Sequence, residues 1–527
     1  MNGARMIVDT LIEEGVEVLF GYPGGAVLPI YDALYERRET ITHILTCHEQ
    51  GAAHAADGYA RATRRPGVVL ATSGPGATNL VTGIAAAYMD STPLVALTGN
   101  VPLALLGRDS FQEVDIAGIT MPITKYNFIV KSPDEIQASV RDAFAIAQSG
   151  RPGPVLVDIP RDIAEAPCGA QREKRHSHGV PVPSEREMDE FVRALARARR
   201  PVLLIGGGVV ADGAGVTAAM LAERLGAPVC ATLMGLGALP WDHSLFLGML
   251  GRHGLPEANR AVEACDLLLA VGTRFTERAA EDRRQFAGQA QIFHIDIDPA
   301  EVNKNIPADA ALCGRAGAVM EGLLARLPPP REPWGAAFTP FTRRAFPEPG
   351  TPRALIHTLW RLRTPGMTVV TDVGQHQMWT AQTYGFSRPG ELITSGGLGA
   401  MGFGLGAAIG VALARPGRRV ALITGDASLH MNMAELATAV ALNLPISIFM
   451  LDNAGLGLVR QLQDEQCGGR RFAVAPGLRT DWIRLAEAMG ARGLSMAGQA
   501  PEKVIREALT AEGPCLTHCP VDPACNA

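Results

Sequence analysis

Asp426 and Asn453 stand near the two ends of GDASLHMNMAELATAVALNLPISIFMLDNAGLG, residues Gly425 to Gly457. A carboxylate, an amide oxygen and a backbone carbonyl just beyond them are hard oxygen ligands, the kind Mg²⁺ takes when it also holds phosphate oxygens. The same two side chains could instead cap a helix and a turn. The chain between them decides whether they can act together. Val420 to Ile423 is an apolar run closed by Gly425, readable as a buried strand that ends at Asp426. Ile446 to Leu451 is a second such run, ending at Asp452 and Asn453, and Met433 to Leu444 has the length and composition of a crossover helix. A strand–helix–strand unit has parallel strands. Both strands then deliver their last residues to one sheet edge, where open α/β folds bind ligands, and Asp426 and Asn453 are expected to be neighbours.

A second carboxylate, Glu49, lies in CHEQGAAHAADGYAR, Cys47 to Arg61, after a β-rich run and before a helix of small residues. A Glu there can serve only the helix N-terminus, or it can exchange protons with a reacting group. Around it, short β-rich runs alternate with helical patterns: Val16 to Phe20, Ile41 to Thr46, Gly67 to Ala71, Leu94 to Thr98 and Val155 to Ile159. That alternation predicts a parallel sheet. The turns GYPGGA, Gly21 to Ala26, and SGPGATN, Ser73 to Asn79, are either tight punctuation or places where backbone approaches a ligand.

Ala166 to Arg186 reads as a linker, and the segment after it again alternates strand and helix patterns. Its GGG at Gly206 to Gly208 is not a GxGxxG fingerprint, so NAD binding is not supported. Pro328 to Pro352 reads as a second linker, extended because of its prolines. The last segment offers TVVTDVGQHQMW, a strand ending at Asp372, and SGGLGAMGFGLGAAIG, Ser395 to Gly410, a turn and helix permitting close approach. The expected fold is α/β, three doubly wound domains with mainly parallel sheets, over residues 1–165, 187–327 and 350–527.

Composition bounds the function. The chain has 527 residues, enough for about three domains of ordinary size. A net charge of −5 provides no basic footprint, so no nucleic-acid partner is expected. No apolar stretch is long enough to span a bilayer, so no membrane association is expected. The N-terminal stretch carries acidic residues in an amphipathic pattern that fits neither a signal nor a transit peptide, and a cytoplasmic location is expected. Nine scattered cysteines without a CxxC pair are expected to be reduced thiols, and Cys515, His518 and Cys519 lack the second pair that a zinc site needs.

The Gly425 to Gly457 stretch resembles the thiamin diphosphate motif, which begins GDG and ends NN, with Ala427 and Asp452 as departures. GRDSFQEVDIAGITMPITKYN and SGRPGPVLVDIPRDI resemble the acetolactate synthase (acetohydroxyacid synthase) catalytic subunit, and the likeness covers most of the chain. It implies an enzyme that decarboxylates pyruvate and joins the hydroxyethyl group to a second 2-oxo acid. By resemblance, Asp426, Asn453 and the Gly455 carbonyl hold Mg²⁺, while Glu49 activates the aminopyrimidine. Gly25, Phe111 and Gln112 line the pocket, and Tyr22, Asn79, Gln375, His376, Gly399, Met401, Ala427 and Ser428 contact thiamin diphosphate. The central segment resembles a domain binding FAD in a structural role, through Arg151, Gly206, Gly207, Gly208, Thr232, Leu233, Gly251, His253, Arg274, Arg278, Asp296 and Ile297. Leu462 stands where the family has a Trp that favours 2-ketobutyrate, Arg161 where it has a Lys, and the chain stops where the family continues into an arm over the site. The family also implies a homodimer or homotetramer, with a regulatory subunit possible. A decarboxylase, a flavin-linked pyruvate oxidase, another carboligase and a non-catalytic paralogue are the alternatives.

Overall fold

The computed structural model describes residues 1–169, 179–280, 286–477 and 479–527, so part of the first predicted linker lies outside the described residues. The strands number in chain order as β1 (Val18–Tyr22), β2 (Thr42–Leu45), β3 (Gly67–Ala71), β4 (Leu94–Asn100), β5 (Tyr126–Ile129) and β6 (Pro154–Pro160). They form one sheet ordered β2-β1-β3-β4-β6-β5. A second sheet contains β7 (Pro201–Ile205), β8 (Val229–Ala231), β9 (Phe246–Met249), β10 (Leu267–Val271), β11 (Gln291–Asp296) and β12 (Ala310–Cys313), ordered β12-β11-β10-β7-β8-β9. The third has β13 (Thr368–Thr371), β14 (Leu392–Thr394), β15 (Val420–Gly425), β16 (Ile446–Asp452), β17 (Arg492–Ser495) and β18 (Cys515–Pro520), ordered β14-β13-β15-β16-β18-β17. All three sheets are parallel, as expected for strands buried on both faces, of which Val68 to Ala71 is a clear example.

The chain divides into two compact units. One comprises residues 1–178, 367–374 and 393–523 and carries the first and third sheets; the other comprises 179–366, 375–392 and 524–527 and carries the second. In the first unit, helix Glu49–Thr63 packs on helix Phe403–Ala414, whose residues 403–412 are all buried. Contact is backbone to backbone: a Cβ on Gly58 would overlap the Ala407 carbonyl oxygen, and one on Gly410 would overlap that of Ala55. One apolar core runs from Phe20, Val69 and Ala96 of the first sheet through both helices to Leu422 and Ile448 of the third.

Several expectations are corrected. The crossover helix begins at Asp426, not Met433, because the strand ends at Gly425 and an acidic residue in the first turn complements the helix dipole. It is assigned as Asp426–Asn432 and Glu435–Ala441, yet Met433 and Ala434 stay helical in φ and ψ and the joint tightens to Leu436 N–H···Met433 O and Ala437 N–H···Ala434 O bonds. Strands β5 and β17 were not expected; both are half-exposed edge strands, YNFI and RGLS, without an apolar run. The stretch Pro328 to Pro352 is not simply extended. It includes short turns of 3₁₀ helix at Trp334–Ala337 and Phe341–Arg343, and it is tied to its own unit by Trp334 Nε1 donating to the Pro201 carbonyl at 2.7 Å and Arg331 donating to that of Leu195 at 2.8 Å.

The helix contact makes a stability prediction. Gly410→Ala inserts a methyl group into an occupied backbone contact, and overpacking of this kind costs about 1–3 kcal/mol. Urea unfolding followed by circular dichroism should show a lower midpoint for that variant, whereas Gly179→Ala, where a Cβ meets nothing within 4 Å and φ is not positive, should leave the midpoint unchanged.

Candidate active site

At the carboxyl edge of the first sheet, β2 runs through Cys47 and His48 into the helix that Glu49 begins. His48 caps that helix, its ring nitrogen accepting from the Gln50 N–H at 3.1 Å. Glu49 is buried, and Asn79 Nδ2 donates to one carboxylate oxygen at 2.9 Å. The other oxygen lies 3.2 Å from where a Cβ on Gly76 would stand, so glycine there leaves the carboxylate its room. Gly74, at φ +60, lies against the backbone of Gln112, itself held at φ +58. A non-glycine residue in that region costs on the order of 1–3 kcal/mol and persists only where its surroundings impose it. Thr72 Oγ1 accepts from the Ala26 N–H at 3.3 Å, tying the Gly25 turn to the same group. Glu49, Asn79, Gln112 and the Gly25 turn are thus brought together, while Phe111 is 87% exposed and Tyr22 is also exposed.

At the carboxyl edge of the third sheet, Gly425 pairs in register with Leu451, which sets Asp426 beside Asp452 and Asn453. Burial, then the charge of Asp452, pushes the Asp426 carboxyl up to about 6. Asn453 Oδ1 accepts from the Gly455 N–H at 3.2 Å, folding the turn back on itself. Asp452 is drawn off by His518, whose Nε2 donates to it at 2.9 Å, and that bond first of all holds its carboxyl below the ordinary range. Among the described residues no group of three or more His, Cys, Asp or Glu could hold a metal. A site at Asp426 would rely on the Asn453 and Gly455 oxygens as well, and the donor set is of the hard type that Mg²⁺ takes.

The turn before helix Phe403–Ala414 belongs to the same unit. Asp372 accepts from the N–H groups of Gly402 at 2.9 Å and Gly404 at 3.0 Å, and burial pushes its carboxyl up to about 6. Gly399 is at φ +68, where among the described residues an added Cβ would meet only Val373, at 3.8 Å, and Met401 is half-buried. Ser428 Oγ donates to the Val373 carbonyl at 2.9 Å, and Ala427 stands next to it in the first helical turn. Sequence reasoning missed three side chains here. Asp90 accepts from the N–H groups of Gly396 and Gly397, Arg61 donates to the Thr394 carbonyl at 2.8 Å, and Glu435 binds the backbone before Glu49. Glu435 gave one signal, as the one Asp, Glu, Lys or Arg between Asp426 and Asp452.

In the second unit, the segments proposed for FAD all follow strands at one sheet edge: Gly206 to Gly208 after β7, Thr232 and Leu233 after β8, Gly251 and His253 after β9, Arg274 and Arg278 after β10, and Asp296 and Ile297 at the end of β11. The strand order reverses at β7, the place where such sheets open a crevice. Gly206 and Gly208 press on the backbone of Gly272, so they serve helix packing whatever else they do. Arg278 offers its carbonyl to the Arg252 N–H at 3.0 Å, joining two of these loops.

Other expected residues have partners of their own. Arg151 lies in the first unit, where its Nε donates to Ser91 Oγ at 2.8 Å. Gln375 and His376 are buried in the second unit, and Gln375 Nε2 donates to the Cys525 carbonyl at 2.9 Å. Arg161 pairs with Glu165, and Leu462 is half-buried on helix Gly457–Gln466. Cys515 and Cys519 share one face of β18 and His518 takes the other.

Family models match the chain in three places: the thiamine pyrophosphate enzyme N-terminal TPP binding domain over residues 1–119, the central domain over 188–323 and the C-terminal TPP binding domain over 372–519. The chain is 43% identical over 556 residues to the probable acetolactate synthase large subunit of Methanocaldococcus jannaschii, covering 99% of this chain and 92% of that one. It is 43% identical over 532 residues to the acetolactate synthase isozyme 2 large subunit of Escherichia coli, covering 99% and 96%. Against the isozyme 3 large subunit of the same organism it is 43% identical over 517 residues, covering 94% and 90%.

The buried Asp372 makes the second prediction. Asp372→Asn replaces one accepting oxygen by an amino group facing an N–H donor, and an unsatisfied buried donor costs about 1–3 kcal/mol. Denaturant unfolding should report that loss, and limited proteolysis should cut the Ser395 to Met401 turn faster than in the parent protein.

Proposed function

The chain belongs to the thiamine pyrophosphate enzymes, among the acetolactate synthase large subunits, and from that premise we propose how its own residues serve a carboligase that decarboxylates pyruvate and adds the two-carbon unit to a second 2-oxo acid. The observation that carries the reading is the buried Glu49 carboxylate, held by Asn79 in a space that Gly76 leaves free. Thiamin diphosphate, the same compound as thiamine pyrophosphate, supplies when bound the electron sink for loss of carbon dioxide. Glu49 is the acid that holds a proton for the pyrimidine ring nitrogen and takes it back. Asp426, Asn453 and the Gly455 carbonyl would hold Mg²⁺ and, through it, the diphosphate, with Ala427 and Ser428 as further contacts. Gly399 and Met401 would support the pyrimidine, with Tyr22 and Asn79 at its other side. Gln112, Gly25 and Phe111 would orient the 2-oxo acid and exclude water.

FAD would be held at the edge of the second sheet by the strand-end residues named above, in a structural role. A second reading, a central domain without flavin, is favoured by one observation: Gly206 and Gly208 are required by the packing on Gly272 alone. The colour of the purified protein separates the two. A homodimer or homotetramer, a cytoplasmic location and a regulatory small subunit complete the proposal; the relatives' designation as large subunits supports the last. Among the described residues no helix is long and apolar enough to cross a membrane.

Given pyruvate alone, the protein should form acetolactate; acetaldehyde or acetyl phosphate as the main product would instead identify a decarboxylase or an oxidase. Glu49→Gln should lower turnover by roughly 10²- to 10⁴-fold, the usual worth of general acid–base assistance, while binding thiamin diphosphate as the parent does. More than half the parental rate would remove Glu49 from the mechanism.

A pH dependence follows from Asp426, whose carboxyl is raised to about 6. Only the ionised form ligates a cation, so Mg²⁺-dependent cofactor affinity should be level above that value and fall about tenfold per pH unit below it. Fluorescence titration at pH 5 and pH 7.5, corrected for the Mg²⁺–diphosphate equilibrium in free solution, measures it. Asp426→Ala should bind weakly at both values; parental affinity in that variant would refute the ligand assignment.

A further inference from the structure

Glu435 is a buried charge that the scheme above leaves without a task. It begins helix Glu435–Ala441 of the C-terminal segment and is 1% exposed. One carboxylate oxygen accepts from the backbone N–H of Cys47 at 3.1 Å and of His48 at 3.0 Å; the other accepts from Cys47 at 3.2 Å and from Thr438 Oγ1 at 2.7 Å. Burial raises its carboxyl above the ordinary range while these donors oppose the rise. The two N–H groups belong to the connection between β2 and Glu49, at the N-terminus of a fifteen-residue helix, where backbone donors lack intrahelical partners and a carboxylate is favoured. Gly51, one turn into that helix, makes the arrangement possible, since a Cβ there would overlap Glu435 Oε1. The Glu49 carboxylate is therefore held at its far end by Asn79, and the backbone that carries it is held by Glu435.

Resting on the reading of Glu49 as the proton-exchanging acid, we propose that Glu435 is a positioning residue for Glu49, setting where its carboxyl points by fixing the N–H groups of Cys47 and His48. It touches neither substrate nor cofactor in this role. What it supplies is an acceptor in a fixed place, and its charge is secondary. Gln at this position keeps one oxygen for both N–H groups and can turn its amide towards the Thr438 hydroxyl. Leu keeps the bulk and removes the acceptor.

The test compares Glu435→Leu, Glu435→Gln and the parent protein at full length. Amide hydrogen exchange of the apo-protein, read on peptides covering residues 46–51, should speed up in Glu435→Leu and return towards the parental rate in Glu435→Gln. With thiamin diphosphate and Mg²⁺ added, Glu435→Leu should lose about tenfold to a hundredfold in kcat, the scale of a misplacement near 1 Å, with KM for pyruvate and cofactor affinity unchanged, and Glu435→Gln should recover most of it. A folded Glu435→Leu protein with parental exchange or parental kcat overturns the proposal. So does a Glu435→Gln protein no better than Glu435→Leu, because charge would then be what matters. If Glu435→Leu does not fold, Gly51→Ala, which pushes the carboxylate aside without removing it, is judged by the same exchange and kcat criteria. A parent protein without turnover would count against the catalytic reading of the previous section, and the exchange comparison would still decide whether Glu435 holds the segment.

Discussion

Two helices touching backbone to backbone are the constraint from which the rest of this architecture follows. Gly58 and Gly410 leave no side chain between helix Glu49–Thr63 and helix Phe403–Ala414, and a Cβ on Gly406 would also crowd the Gly51 carbonyl oxygen, at 2.8 Å. Approach at this distance gains many dispersion contacts and tolerates no added volume. One of these helices starts at Glu49, and the other follows directly on the turn that contains Gly399 and Met401. Close packing therefore fixes the relation between two stretches that local structure alone would leave independent, although they are separated by most of the chain.

Packing of small residues is not directional, and a buried polar cluster supplies the direction. Arg61 pairs with Asp57 at 2.7 Å and with Asp90 at 2.9 Å, with both carboxylates buried. Such ion pairs add little net stability, since desolvation offsets the attraction, while loss of one partner is strongly destabilising. Their effect here lies in what the remaining hydrogen-bonding positions reach. Arg61 takes the Thr394 carbonyl and Asp90 takes the N–H groups of Gly396 and Gly397. A glycine-rich turn that would otherwise sample many conformations is pinned by this cluster at its β14 end, and Asp372 holds the other end at Gly402 and Gly404.

Buried strands with uninterrupted apolar runs were legible: Gly67 to Ala71 was read with its observed bounds, and the parallel pair β15 and β16 placed Asp426 beside the Asn453 turn, whereas β18, whose run is broken by Thr517 and His518, was not read. Edge strands β5 and β17 were not, since a strand with one open side needs no apolar run. The site divides in the same way. Residues placed by the end of their own strand, such as Asp426 and Glu49, could be marked as candidates from order along the chain, and the family resemblance chose between capping and chemistry. Glu435, Asp90 and Arg61 act on backbone hundreds of residues away, and no local pattern records that. The Pro328 to Pro352 stretch shows a related limit: prolines forbid a sheet, but they do not prevent Trp334 and Arg331 from anchoring the segment to carbonyls of its own unit.

Asp452, an acid where the resembling motif has an amide, shows how a sequence departure can be absorbed. Two carboxylates at adjacent strand ends repel, and Asp452 does raise the carboxyl of Asp426. Left unpaired, it would also compete for any cation brought to Asp426. Register prevents this. Strand β18 pairs with β16 so that Met450 stands opposite His518, and Asp452 accepts from that imidazole on one oxygen and from the Ala454 N–H on the other. With a donor on each oxygen, Asp452 is committed to shaping the turn. The substitution is therefore coupled to a histidine that lies on a different strand, and an Asp at this position without that partner would leave a like-charged pair at the sheet edge.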